Sequence, residues 1–179
     1  WCAAPLEGPS DAHHSFMCNL PEPLQREKLR RLTEQLAARF GQRPRSFRAG
    51  RYGLDIVGAR ILEQLGYQVD SSVVSFTSYR EQGGPSFDEA PFTPYRVGGD
   101  NLSRPAPAGN LLEVPVSVGF NRRRFDTAHK LRRMASRPGL RRLRLVGVMD
   151  RTRPVRRRKF SPDQADAGQM RQLVDTYKA

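Results

Sequence analysis

Two segments in the early part of the chain carry apolar residues at helical spacing. The stripe of the first segment consists of Leu29, Leu32, Leu36 and Phe40. This spacing predicts an amphipathic helix. Asn19, with Glu22 three residues later, fits a capping box at its start, and Gly41 suits a left-handed cap at its end. Asp55 can cap a second helix, which Gly66 closes. The inward-facing residues of that helix are Val57, Ile61, Leu62 and Leu65.

Short apolar runs between and after these helices predict strands. The first covers Ser46–Arg48, the second is "YQVDSSVV" (67–74), and the third is "LLEVPVSVGF" (111–120). Strands that alternate with helices favour parallel pairing, so we expect an α/β fold, either doubly wound or a barrel. Residues 76–110 are rich in Gly and Pro and have no period, which predicts a long loop or several short pieces.

Two further helices are predicted in the last third of the chain. One is a basic stretch from Asp126 to Ser136. The other follows Ser161, Pro162 and Gln164, which fit a capping box with proline in the first turn. Its apolar residues are Ala165, Met170, Leu173, Val174 and Tyr177.

The net charge of +13 comes from one segment, because residues 122–159 hold sixteen Lys and Arg against two Asp. A basic segment of this kind can attract nucleic acid, acidic glycans or anionic lipid, or it can be a solvated arginine-rich surface. Few aromatic residues lie among the arginines, which disfavours nucleic acid. We expect most of these arginines to be exposed, because a core could not desolvate so much charge. No apolar run approaches 18 residues, so no transmembrane helix is expected.

Arg48 and Asp70 lie at the predicted carboxyl ends of successive strands. Parallel neighbours bring such ends together, so we expect a salt bridge between them. The bridge could be structural, or it could orient a catalytic carboxylate. Tyr52, in the turn after the first strand, could offer its backbone N–H to a developing oxyanion. Glu113 opens the third strand and receives no role from the sequence.

A second cluster of candidate ligands lies near the amino terminus. Its members are Cys2, His13, His14 and Cys18. Their spacing fits no common zinc motif, and adjacent histidines seldom converge on one metal. We therefore expect loop histidines here. The two cysteines are too few for a disulfide framework, so the redox compartment and localisation stay open.

The stretch "RPRSFRAGRYGLD" (43–55) and "ILEQLGYQVDSSVV" (61–74) resemble the third and fourth motifs of the polysaccharide deacetylases, the NodB-homology family. Residues 19–53 are especially similar to the branch associated with bacterial polysaccharide-synthesis loci. "LLEVPVSVGF" (111–120) and "FSPDQADAGQMRQLVD" (160–175) also fit that branch. The similarity covers nearly the whole chain, which we take as one partial domain over residues 1–179.

The resemblance implies a distorted (β/α) barrel with parallel strands. It also implies a divalent metal, usually zinc, at the carboxyl ends of the strands. The activity implied is hydrolysis of the acetamido group of N-acetylated oligo- or polysaccharides. In this resemblance Arg48 matches the arginine that orients the catalytic base, and Tyr52 the aromatic residue whose N–H helps hold the oxyanion. Asp70 matches the aspartate that pairs with the arginine.

The chain departs from the family pattern in several places. Arg-x-Pro-Tyr is replaced by Arg-Ala-Gly-Arg-Tyr, which is one residue longer, and Val73 replaces an aromatic residue. The Asp-Asp motif, the His-x-His metal motif and the late acid histidine are absent. We expect the metal ligands to lie in flanking sequence of a longer parent and this fragment alone to be inactive. The alternatives are an inactive deacetylase-like domain and a basic module that binds polyanions or nucleic acid.

Overall fold

The first predicted helix forms α1, Glu22–Phe40, in a computed structural model that describes residues 11–120, 125–135, 157–160 and 165–177. Gly41 follows it in the left-handed conformation, with φ 71°, as predicted. The predicted capping box is wrong, because the residue before the helix is Pro21. The Asn19 amide instead donates to the carbonyl oxygens of His13 (2.9 Å) and Gly83 (2.7 Å). The Asn19 side chain therefore makes tertiary contacts between loops, although the local sequence pattern predicts it as a helix cap.

The second predicted helix is α2, Ile56–Gln64. The Asp55 carboxylate caps it by accepting a hydrogen bond from the Gly58 N–H at 2.9 Å. Ile61 and Leu62 are buried. Together with Leu29 of α1 they belong to the hydrophobic core of the first part of the chain.

A four-stranded sheet lies beside these helices. Its strands are β1 (Ser46–Phe47), β2 (Val69–Asp70), β3 (Tyr95–Val97) and β4 (Leu111–Glu113). The spatial order is β1-β2-β4-β3, in which β1, β2 and β4 are parallel and β3 is antiparallel to β4. The fold is thus mixed α/β with a mostly parallel sheet, as predicted, although a barrel is not shown. The Gly- and Pro-rich stretch 76–110 forms several short pieces, among them β3 and a 3₁₀ turn at Arg80–Gln82.

The third predicted strand is divided in two. Its first half is β4, and its second half is β5 (Val118–Phe120), which pairs with β6 (Arg157–Lys159) in a separate antiparallel sheet. Pro115 has no N–H for a continuous ladder. On either side of it, the Val114 N–H donates to the Asp70 carbonyl and the Val116 N–H to that of Val73, both at 2.8 Å. The division between two compact units falls directly after Val116.

The second unit, from Ser117, contains β5, β6, α3 (Phe125–Ala135) and α4 (Ala167–Tyr177). Phe120, Phe125 and Leu173 are buried within it. The predicted capping box at 161–164 lies outside the described residues. So do most arginines of 122–159, although Arg157 is exposed. In the part of the chain that the structure describes, every helix is too short or too polar to cross a membrane.

We predict that Asp55→Ala lowers the free energy of unfolding by about 1 kcal/mol, because the first turn of α2 loses its side-chain acceptor. Asp55→Asn keeps an acceptor oxygen and should stay within about 0.5 kcal/mol of the unmodified chain. Urea denaturation of the three proteins measures both differences. Equal losses in the two variants would mean that the charge of Asp55, rather than the cap, stabilises the helix.

Candidate functional site

The turn that joins β1 to α2 is strained. It contains a 3₁₀ turn, Gly50–Tyr52, in which Arg51 and Tyr52 have φ values of 55° and 59°. Non-glycine residues seldom adopt this region, and each costs roughly 1–2 kcal/mol. Two such residues in succession must be held in place by their surroundings. Strain of this kind is concentrated at functional sites, so the turn is the first place to look for one.

Arg48 stands at the carboxyl end of β1 with an exposed side chain. Its Nε donates to the Ser71 carbonyl oxygen at 3.0 Å, and its Nη2 donates to Ser71 Oγ at 2.7 Å. Ser71 Oγ in turn donates to the Val114 carbonyl oxygen at 2.8 Å. One edge of the guanidinium is therefore fixed to the ends of β2 and β4. Its other N–H groups form no hydrogen bond with a described residue, and the side chain is exposed.

The predicted Arg48–Asp70 salt bridge is not formed. In the parallel register Phe47 lies opposite Asp70, so Arg48 lies one residue further along, beside Ser71. Side chains alternate between the two faces of a strand. A one-residue difference in register therefore places the two charges on opposite faces. The prediction had the correct strand ends but the wrong face.

The Tyr52 N–H also differs from its predicted role. It donates to the Ala49 carbonyl oxygen at 3.1 Å, closing the 3₁₀ turn. It is therefore not available to an oxyanion in this structure. The Tyr52 ring stacks on Tyr79, with ring centroids 5.9 Å apart and planes at 23°.

Asp70 belongs instead to a buried pair of carboxyl groups. It lies opposite Glu113 in the register of β2 and β4, and neither residue has exposed surface. Asp70 accepts hydrogen bonds from the N–H (3.0 Å) and Oγ (2.7 Å) of Ser72. Glu113 Oε1 accepts one from the Val73 N–H at 3.1 Å. No role for Glu113 was predicted from the sequence. The signal for it was an acid in the third predicted apolar strand, comparable to Asp70 in the second.

Burial and proximity shift the acidities of this pair. Burial, a hydrogen bond with the Asp70 side chain and the charge of Asp70 together raise the pKa of Glu113 to about 10, while the Val73 N–H and Arg48 act in the opposite direction. The pKa of Asp70 is also raised, chiefly by burial, and hydrogen bonds from its neighbours oppose the shift. Two adjacent buried carboxyl groups that form no ion pair with a described cation cannot both ionise at neutral pH.

Arg51 holds the strained turn against two other loops. Its guanidinium donates to the Ala12 carbonyl oxygen (3.3 Å), to Ser15 Oγ and to Gln82 Oε1 (3.2 Å). It also lies 4.1 Å from the centre of the Phe16 ring, a cation–π contact. This arginine lies within the motif that is one residue longer than the family pattern. The extra length is thus accompanied by contacts that tie three loops together.

The described residues contain no group of three or more His, Cys, Asp or Glu side chains that could hold a metal ion. His14 Nδ1 lies 2.8 Å from Asp11, and the Asn19 amide bonds the His13 ring and backbone. Burial raises the pKa of the Cys18 thiol to about 11, so it is not a ready thiolate ligand. Cys2, the fourth member of that cluster, lies outside the described residues.

Comparison with known proteins does not place the chain in a family. No family model, no curated protein and no solved structure matches it. The features of the chain that bear on its function are therefore the resemblance of its motifs and the geometry of the Arg48 turn.

We predict that Arg51→Ala destabilises the chain by roughly 2–3 kcal/mol, because it removes the contacts of the guanidinium but keeps the positive φ. Arg51→Gly removes the same contacts and relieves the strain, so it should be about 1 kcal/mol more stable than Arg51→Ala. Chemical denaturation of both variants tests this order. The reverse order would show that residue 51 does not adopt the left-handed conformation in solution.

Proposed function

We propose that this chain is part of a metal-dependent carbohydrate N-deacetylase that hydrolyses the acetamido group of N-acetylated oligo- or polysaccharides. The observation that carries the proposal is the placement of Arg48. It stands at the carboxyl end of a parallel strand, is held by Ser71 from the next strand, and keeps a solvent-facing edge. Active sites of α/β folds lie at this end of the strands. The matching motifs of the polysaccharide deacetylases give the site its chemistry.

In this proposal the three parallel strands and helices α1 and α2 belong to a distorted (β/α) barrel. The remaining strands, the catalytic base, the metal ligands and the acid histidine would come from a longer parent protein. The metal is expected to be zinc, with ligands outside the described residues, so we assign no catalytic step to it here. What this chain supplies is the support around the base.

The role proposed for Arg48 follows from its donors. A guanidinium presents five N–H groups in a fixed fork, and two of the Arg48 groups are occupied by Ser71. The remaining edge can receive a carboxylate by charge-assisted hydrogen bonds and hold it in one orientation. Because Asp70 does not neutralise it, its charge is available to a base aspartate of the parent.

Tyr52 and Asp70 belong to the proposed site, but their roles differ from those that the resemblance implies. Tyr52 is a wall residue stacked on Tyr79, and its N–H could bind an oxyanion only after releasing Ala49. Asp70 supports the segment that follows β2 through Ser72. An inactive relative of the deacetylases would have the same support without the chemistry.

We predict that the 179-residue chain releases no acetate from N-acetylated chito-oligosaccharides with added zinc, whereas the longer parent does. In the parent, Arg48→Ala should lower kcat/KM by about 100-fold, because the base loses its orientation. Arg48→Lys should recover only part of this, since it keeps the charge but not the fork. Release of acetate is the measurement.

The matched control is Arg45→Ala, which removes an exposed arginine three residues earlier and should leave the rate unchanged. Turnover by the 179-residue chain itself would contradict the proposal. A parent that is folded and binds zinc but has no acetate release would favour an inactive relative. Salt-sensitive binding of DNA or heparin by the chain, without acetate release by the parent, would favour the basic binding module.

A further inference from the structure

The carboxyl pair of Asp70 and Glu113 forms no direct ion pair with a described cation, although Arg48 acts electrostatically on Glu113. Both side chains are fully buried, and neither lies in a salt bridge with any described residue. An isolated carboxylate in a low-dielectric interior is so costly that the group keeps its proton instead. The pair must therefore hold at least one proton at neutral pH.

The hydrogen bonds indicate which oxygen carries that proton. Both Asp70 oxygens accept hydrogen bonds from Ser72, whose Oγ already accepts from the Ala49 N–H at 2.9 Å. Glu113 Oε1 accepts from the Val73 N–H. Glu113 Oε2 is buried and accepts a hydrogen bond from no described donor, whereas the Glu113 and Asp70 side chains are hydrogen-bonded to each other. Asp70 is thus arranged as a carboxylate and Glu113 as a carboxylic acid whose proton is on Oε2.

The charged and titratable groups around Glu113 agree with this assignment. Asp70 on β2 and Tyr95 on β3 flank it in the sheet, and the Tyr95 hydroxyl donates to the Leu102 carbonyl oxygen at 2.8 Å. From α2, Glu63 accepts a hydrogen bond from the Leu111 N–H at the other end of β4. Arg48 is the cation that acts on Glu113 electrostatically, and its hydrogen bonds go to Ser71.

Asp70 and Glu113 together fix the segment of residues 71–73, which binds the Arg48 turn. Glu113 fixes the Val73 amide, and Asp70 fixes both polar groups of Ser72. Ser72 Oγ binds the Ala49 N–H, directly after Arg48. Residues 71–73 are therefore held from the buried face by two acids and bind the turn that carries the arginine.

We propose that Glu113 is a positioning residue, a buried carboxylic acid that together with Asp70 fixes residues 71–73 and, through them, the Arg48 turn. The effect of Glu113 on catalysis rests on the proposed deacetylase function, whereas its effect on the structure of residues 71–73 does not. The stability of the chain should then depend on pH in a particular direction. The unfolded chain releases the Glu113 proton near its ordinary pKa of 4.5, whereas the folded chain keeps it up to about 10. Stability due to this group is complete below the lower value and is lost as pH rises towards the upper one.

Glu113→Gln is the decisive variant, because an amide mimics the neutral acid and does not titrate. The Tm difference between Glu113→Gln and the unmodified chain should grow in favour of the variant from pH 5 to pH 9, and groups common to both proteins cancel in that difference. A difference that is constant over this range would show that Glu113 is already ionised when folded, and would overturn the proposal.

Amide hydrogen exchange tests positioning. Glu113→Ala should speed exchange at Val73 and also at Ala49, which Glu113 does not touch, whereas Glu113→Gln should restore protection at both. Loss of protection at Val73 alone would reduce Glu113 to a local contact and contradict the proposal. If Glu113→Ala fails to fold, the pH dependence of Glu113→Gln still decides.

Activity measurements on the longer parent protein test whether Glu113 acts through Arg48. There, Glu113→Ala should lower kcat by about 10- to 100-fold with little change in KM, and Glu113→Gln should recover most of it. A parent without deacetylase activity would overturn the proposed function, while the exchange measurement would still support or refute the positioning role. Full activity of a folded Glu113→Ala parent would refute the positioning role alone.

Discussion

The register of three short parallel strands is the constraint on which the rest of the site depends. Phe47, Asp70 and Glu113 lie opposite one another. This register decides on which face of the sheet each side chain at these strand ends lies. The two acids face the buried side. Arg48 and Ser71, one residue further along, face the open side. A shift of one residue in the pairing of a strand would turn that strand's side chains to the opposite face.

This arrangement separates a positive charge from the negative ones that could neutralise it. A buried carboxylate next to Arg48 would have made a stable ion pair, but such a pair leaves the guanidinium little capacity for another anion. Here Ser71 orients Arg48 with neutral acceptors, which fix its geometry and leave its charge unpaired. The carboxyl pair meets its own desolvation cost by retaining a proton. Ser71 thus fixes the position of the Arg48 guanidinium, and the carboxyl pair does not form an ion pair with it.

The strained turn after β1 is fixed by a further set of contacts, which Arg51 makes. Arg51 and Tyr52 hold positive φ values, and the Arg51 guanidinium binds the Ala12 carbonyl, Ser15, Gln82 and the Phe16 ring. These contacts come from loops that are distant in sequence, so a local sequence pattern could not foresee them. A sequence motif identifies such a turn by its glycines and arginines. The partners that stabilise it become visible only when the chain is folded.

The contrast between correct and wrong expectations has one physical origin. Helices α1 and α2, the αL residue Gly41 and the Asp55 cap follow from periodicity and from side chains that act within a few residues, so the sequence predicts them. The parallel pairing of β1 and β2 was also predicted from the alternation of elements. The Tyr52 N–H, which was expected to bind an oxyanion, closes the local turn with the Ala49 carbonyl instead. The Arg48–Asp70 bridge and the Asn19 cap were wrong, because the first depends on strand register and the second on a distant loop. Glu113 received no role for the same reason: its partner lies 43 residues earlier in the printed sequence.

The position of Asp70 shows how a motif can keep its residues while their contacts differ. A carboxylate at the end of β2 was expected to act directly on the arginine at the end of β1. In the structure it acts through the backbone, since Ser72 links it to the amide that follows Arg48. A site built this way controls the orientation of its arginine by hydrogen-bond geometry, and the solvent-facing edge of Arg48 remains for an anion that the buried acids do not supply.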